Sequence, residues 1–162
     1  MDWYLWALIG FAINWVGMFA FSWAYCGILL WAGDLRLEGW VKWRGWFPVA
    51  RFRLISTKSW FARAWQNWYG HALLGCMIHR DEKGEFDNEF VEEVIVHELR
   101  HNVQQLILGL VFYLAYGVAS LVALIRGKNG YLDNWFEVDA RAAASAWVNA
   151  GRKRIFNFGK RR

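Results

Sequence analysis

The sequence predicts a mainly α protein with a small β element, in which an N-terminal transmembrane helix is joined to a minimal metal-binding helical domain. Three observations predict it. Residues Trp3 to Trp31 form an almost unbroken apolar run, and a later amphipathic stretch carries His97-Glu98-Leu99-Arg100-His101. Between them, His71 to His79 is a short apolar run closed by the turn-forming Asp81-Glu82-Lys83-Gly84. Composition points the same way: 13 tryptophans, a single proline and 19% aromatic residues suit a chain that meets a lipid bilayer.

Residues 1–33 are expected to be the transmembrane anchor. The run Trp3 to Trp31 is interrupted only by Asn14, Ser22 and small glycines, and crossing a bilayer core takes about 20 apolar residues. It does not read as a cleavable signal peptide, because no basic segment precedes it and no small-x-small site follows. Only Asp2 lies ahead of the run, whereas Arg36, Lys42, Arg44, Arg51 and Arg53 come after it. The positive-inside rule then puts the N-terminus outside and the rest in the cytoplasm, at the inner (cytoplasmic) membrane. Cys26 in the span and Cys76 in the strand give no disulfide framework.

Residues 34–69 interleave rings with cations: Trp40, Lys42, Trp43, Arg44, Trp46, then Arg51, Phe52, Arg53, then Trp60, Phe61, Arg63, Trp65 and Trp68. Arginine and aromatics can also stack on a nucleic-acid strand. Directly after a span, the pattern fits a Trp/Arg-rich interfacial segment better, with anionic lipid headgroups as partner. Pro48 divides it in two.

His71 to His79 is read as one strand whose edge can pair with an extended peptide. His71 and His79 are read as polar caps and left out of the site. A helix is expected from near Asp87, capped by Asp87 or Asn88, with Glu89, Glu92 and Glu93 on its first turns. Val91, Ile95, Leu99, Val103 and Leu106 make its core stripe. Two histidines four apart lie on one helix face, within reach of one ion, so His97 and His101 are the expected metal ligands. Glu98 between them is the expected general base.

A third ligand is expected from Glu137, in Tyr131-Leu132-Asp133-Asn134-Trp135-Phe136-Glu137-Val138-Asp139-Ala140-Arg141. Ala142, Ala143, Ala144 and Ala146 follow, placing Glu137 in the first turn of another helix that packs closely on the first. Two imidazoles, one carboxylate and an open position suit Zn2+ best.

These motifs resemble a family of small, membrane-associated, mostly uncharacterised bacterial and phage proteins. They carry H-E-x-x-H, then Q, a hydrophobic stretch, and a Y-x-D-N-x-F-E-x-x-A-R block, and look like minimal relatives of the zinc metallopeptidases whose third ligand is a glutamate. The likeness covers about residues 70 to 146, including Gly70-His71-Ala72-Leu73-Leu74-Gly75, Arg80-Asp81-Glu82 and Arg126-Gly127. It implies a zincin-like domain over 70–150 in which His97, His101 and Glu137 bind zinc and Glu98 is the base. Trp135 stands where the family usually has proline. Arg141 stands where larger glutamate-zinc peptidases place an aspartate that orients the first histidine; Asp139 or Asp133 can supply that contact.

Leu106 to Ile125 holds no charge and has the length of a second span. A straight span would separate His101 from Glu137 by about 30 Å of hydrocarbon. The stretch 106–125 is therefore expected to be a bent or re-entrant apolar hairpin turning near Tyr116-Gly117. Residues 151–162 form a basic tail suited to anionic lipid. No repeat, low-complexity linker or Gly-rich phosphate loop is present.

The expected function is that of a membrane-anchored, zinc-dependent metallopeptidase acting on a peptide or protein substrate. Zinc-activated water attacks the peptide bond, Glu98 is the base, and Tyr131 steadies the oxyanion. The alternative is a non-catalytic membrane or virion assembly protein with a structural or vestigial metal site. Substrate specificity and oligomeric state are not written in the sequence.

Overall fold

The computed structural model describes residues 3–43, 47–64, 67–80 and 88–151. Among them are five helices and four strands: α1 (Trp3–Trp31), β1 (Leu35–Trp43), β2 (Phe47–Leu54), α2 (Trp60–Arg63), β3 (Gly70–Leu73), β4 (Cys76–Arg80), α3 (Asn88–Leu108), α4 (Val111–Ile125) and α5 (Trp135–Asn149). The protein is mainly helical with a small sheet, as expected. Asp87, the turn 81–84 and residues 152–162 of the tail lie outside what the structure describes, and α3 begins at Asn88.

The strands form one sheet in the order β1-β2-β4-β3. β1 and β2 are antiparallel, β3 and β4 are antiparallel, and β2 runs parallel to β4. Two features differ from the sequence reading. The stretch 34–69 contributes two strands, because Arg51-Phe52-Arg53-Leu54 alternates polar with apolar and buries Phe52 and Leu54. The single strand expected over 71–79 is a hairpin: the chain reverses at Leu74-Gly75, and Leu73 pairs with Cys76.

Alternation gives the sheet two occupied faces. Ala50, Phe52, Leu54, Leu73, Cys76 and Ile78 pack against Cys26 and Leu29 of α1, with Trp23 and Tyr25 beside them. Val41, Val49 and Met77 pack on the other face against Val91, Ile95, Val96 and Leu99 of α3 and Ala144 and Trp147 of α5. Val91, Ile95, Leu99 and Val103 are buried as the stripe predicts. Arg51, Arg53 and His79 close around Glu38 on the sheet.

α1 is long and apolar enough to cross a membrane. Its C-terminal part is core, with Met18, Ser22, Cys26 and Leu29 fully buried, while Phe11, Ile13 and Val16 are largely exposed. The Ser22 hydroxyl is satisfied within the helix by the Met18 carbonyl at 2.8 Å.

α3 and α4 meet at a bend of 114°. The break falls at Gly109, not at Tyr116-Gly117, which lie inside a continuous α4. Gly109 has φ of 58°, a left-handed conformation that disfavours a side chain. A β-carbon there would also run into Asn14 of α1. Asn14 Oδ1 accepts the Leu110 N–H at 2.8 Å, so the one amide in the apolar run caps the start of α4.

Candidate metal centre

The bend returns the chain so that α5 lies along α3, with Ala140 and Ala144 buried between them. The small side chains permit this approach, as the alanine run predicts. Asn134 caps α5 by accepting the Phe136 N–H at 3.0 Å. Its amide also donates to Ser120 Oγ at 2.8 Å and the Tyr116 carbonyl at 3.1 Å, pinning the cap to α4. Glu137 is thereby held in the first turn of α5, pointing at α3.

His97, His101 and Glu137 form a group that can hold a metal ion, their donor atoms all within 4.8 Å of one another. The two Nε2 atoms are 3.1 Å apart. Glu137 Oε1 lies 3.1 Å from His101 Nε2, and Oε2 lies 3.3 Å from His97 Nε2. Two donors on a tetrahedral ion with bonds of about 2.0–2.1 Å are about 3.3 Å apart, so the spacing fits one such ion. Glu137 Oε2 is buried and receives no hydrogen bond of good geometry. His71 and His79 stand outside this group.

The surroundings fix tautomer and charge. His101 Nδ1 meets Gln104 Oε1 at 2.7 Å, and Gln104 Nε2 donates to Asp139 Oδ2 at 2.8 Å and to the Phe136 carbonyl at 3.1 Å. Because Gln104 Oε1 can only accept, Nδ1 carries the proton and Nε2 is left to bind. Asp139 is held in turn by two bonds from Arg100, at 2.6 and 3.0 Å. The contact expected for the first histidine falls on the second: Asp139 supports His101, through Gln104, and Asp133 accepts the Asn129 N–H. Tyr116 donates to Glu137 Oε1 at 2.8 Å, and the Phe112 ring stands edge-on to His101 at 6.2 Å.

Burial alone would raise the Glu137 carboxyl, but the hydrogen bonds with His101 and His97 hold it well below the usual carboxylate range. Burial would lower the His101 imidazole, and the Glu137 and Glu98 carboxylates turn this into a net rise. This mutual charging is what a cation between them would replace.

Glu98 lies on the next face of α3, buried against Gly70 of β3. A β-carbon at position 70 would collide with its carboxylate and stand 2.8 Å from Val94 Cγ1, so glycine makes the room. Burial pushes the Glu98 carboxyl up to about 7, against the pull of His101 and His97. His97 and Glu98 look into a cleft of about 710 Å³ bounded by Trp68, Tyr69 and Gly70 on one side and by Arg141 and Ser145 of α5 on the other. Tyr131 stands on its wall, with its phenol pushed up by burial and by Glu137. The structure thus brings all five expected residues to one place. Sequence reading gives Gln104, Tyr116, Gly70 and Arg141 no role in the site. Gln104 stands in the motif only as the glutamine that follows the histidines, and Tyr116 is read as part of a turn.

No protein-family model, curated protein or solved structure matches the chain. The site has to be read from its own chemistry.

Proposed function

We propose that the chain is a membrane-anchored zinc metallopeptidase, with α1 in the cytoplasmic membrane and the site on the cytoplasmic side. The observation that carries this is the buried Glu98 carboxylate beside a three-donor group, in a cleft that opens along a strand edge. His97, His101 and Glu137 would hold the zinc. Bound there, zinc supplies Lewis acidity and lowers the pKa of its water toward about 7.

The other roles belong to the chain. Glu98 takes the proton of the attacking water as its oxygen bonds to the substrate carbonyl carbon. The same carboxyl then passes that proton to the amine as the carbon–nitrogen bond breaks. Tyr131 is placed to donate to the carbonyl oxygen as charge develops on it. β3 supplies the substrate track. Tyr69 and Arg80 are hydrogen-bonded across the hairpin, the Arg80 N–H meeting the Tyr69 carbonyl at 2.8 Å. In an antiparallel pair the next residue faces the other way, so Gly70 turns its N–H and carbonyl outward beside Glu98, whereas the next outward carbonyl, that of Ala72, already accepts from Gln105 at 2.9 Å and confines pairing to the Gly70 end. An extended peptide can pair there as an added strand.

Metal analysis of the purified protein and a cleavage screen test this together. Wild type is expected to carry one zinc per chain, His101→Ala none. Glu98→Gln should keep the metal and lose several powers of ten in cleavage. Zinc retained with identical cleavage products in wild type and Glu98→Gln would favour the assembly-protein alternative.

A further inference from the structure

Two features of α4 are unusual for a helix in water, and a third lies beside it. Residues Val111–Ile125 carry no charge. Val111, Leu114, Val118, Leu121 and Ile125, at alternating spacings of three and four, form one stripe that is 48–75% exposed. Contiguous apolar surface of this kind is rare on a soluble monomer. Next to the bend, an apolar cleft of about 350 Å³ opens between α1 and α3, lined by Trp15, Val16, Phe19, Leu74 and Leu106.

Asn14 sets the depth of these features. Any stretch of about 20 residues that crosses the bilayer within Trp3–Trp31 includes Asn14. In the shallowest placement, spanning residues 3–22, Asn14 is eight residues from the inner boundary, or about 12 Å at 1.5 Å per residue. The Leu110 N–H that it accepts lies at that depth or deeper. In hydrocarbon an unpaired N–H at a broken helix costs several kcal/mol, and so does an unpaired amide side chain. Asn14 Oδ1 and the Leu110 N–H satisfy each other. His101 is eight residues before Gly109, no more than about 12 Å along α3. The metal group therefore sits at the hydrocarbon boundary or inside it, whichever way α3 tilts.

We propose that α4 is a re-entrant membrane helix, tethered to the span by Asn14 and bathed by acyl chains on its Val111–Ile125 face, and that the substrate is a membrane-inserted polypeptide cut at the lipid boundary. The inference rests on the anchor and the peptidase reading above. The opposite face of α4 supplies Phe112, Tyr116 and Ser120 to the site, so this helix separates the metal group from lipid. Trp68, Tyr69 and Tyr131 at the cleft are the amphipathic rings expected at headgroup depth. A polypeptide leaving the bilayer would unwind past them onto the β3 edge.

The test places single nitroxide labels at Leu114, Val118, Val16 and Lys58 of the full chain, with Cys26 and Cys76 exchanged for alanine. The protein is reconstituted in vesicles of phosphatidylethanolamine and phosphatidylglycerol. Collisions with oxygen, which enters lipid, are compared with collisions with a water-soluble nickel chelate. Labels at Leu114 and Val118 are expected to behave like Val16 and opposite to Lys58, and Asn14→Leu should raise nickel contact at Leu114 several-fold. Free nickel access at Leu114 and Val118 overturns the inference while leaving the anchor intact, provided Val16 stays in lipid. Screening from both reagents also overturns it and assigns the face to a second copy or a partner protein. Nickel access at Val16 as well overturns both. For the substrate, new N-termini in membranes exposed to wild type but not Glu98→Gln should lie within or beside membrane spans. New termini confined to soluble domains overturn that half. Their complete absence removes it together with the peptidase reading, while the labels still decide the placement of α4.

Discussion

Gln104→Leu should weaken metal binding without touching a ligand. The side chain is buried, and leucine, though shorter and branched, fills a comparable volume, so the exchange leaves little void. It removes the acceptor 2.7 Å from His101 Nδ1 and the donor to Asp139 and to the Phe136 carbonyl. The imidazole then loses the contact that fixes its tautomer and ring angle, and two half-buried groups, the Phe136 carbonyl and Asp139, lose a partner. Removing such an outer contact costs about 10–100-fold in metal affinity, equivalent to about 1.4–2.7 kcal/mol. The metal-free fold should lose a further ~1–3 kcal/mol from the unpaired groups. Competition against a chromophoric chelator in detergent measures the first, and chemical denaturation of the stripped protein the second. Gln104→Glu makes the useful contrast, since it keeps an acceptor for His101 but sets a carboxylate against Asp139. It should bind poorly alone and recover in part with Asp139→Asn. An affinity for Gln104→Leu within twofold of wild type, in a protein where His101→Ala abolishes binding, would refute this account of the His101 orientation.

Other perturbations probe neighbouring groups. Tyr116→Phe removes the donor 2.8 Å from Glu137 Oε1 and should weaken metal affinity about tenfold, as expected for one hydrogen bond to a charged group, read in the same competition assay. Gly70→Ala should keep the metal but depress cleavage strongly, because the new β-carbon displaces the Glu98 carboxylate; full activity would contradict the tight approach. In metal-free protein the Glu98 carboxyl is raised from 4.5 to about 7, so the folded state holds a proton that the unfolded state releases. The Glu98 contribution to stability should therefore fall as pH rises from about 4.5 to 7, by about 3 kcal/mol for a shift of this size, and the raised His101 imidazole continues the decline above that range. Denaturation of metal-free Glu98→Gln should lack that slope.

What the sequence disclosed and what it hid follow from interaction range. His97, Glu98 and His101 sit on one turn, so spacing alone groups them, and Glu137 is marked by its acidic position ahead of an alanine run. Helix α3 was legible from its stripe, and α1 from its length. The sheet was not, because Arg51, Phe52 and Arg53 alternate in a way that equally suits a membrane interface. Only the pairing of Ala50 with Cys76, distant in the chain, decides for strands. The bend was anticipated from metal geometry but misplaced. Tyr116-Gly117 resembles a turn, whereas Gly109 is chosen by Asn14, a contact across 95 residues that no local pattern carries.

The burial of Cys26 and Leu29 of α1 under the sheet has a consequence for biogenesis. A flexible leash can be cut and the domain released intact; this helix cannot be, because it supplies one wall of the β-layer's interior. Severed after residue 33, the remainder would show Phe52, Leu54, Cys76 and Ile78 to water and aggregate. The order of synthesis matters for the same reason. α1 precedes in the chain the strands that close over it, so they assemble on a helix already made. With α1 in the bilayer, as proposed, completion of the sheet and of the metal group behind it is coupled to the delivery of that one helix.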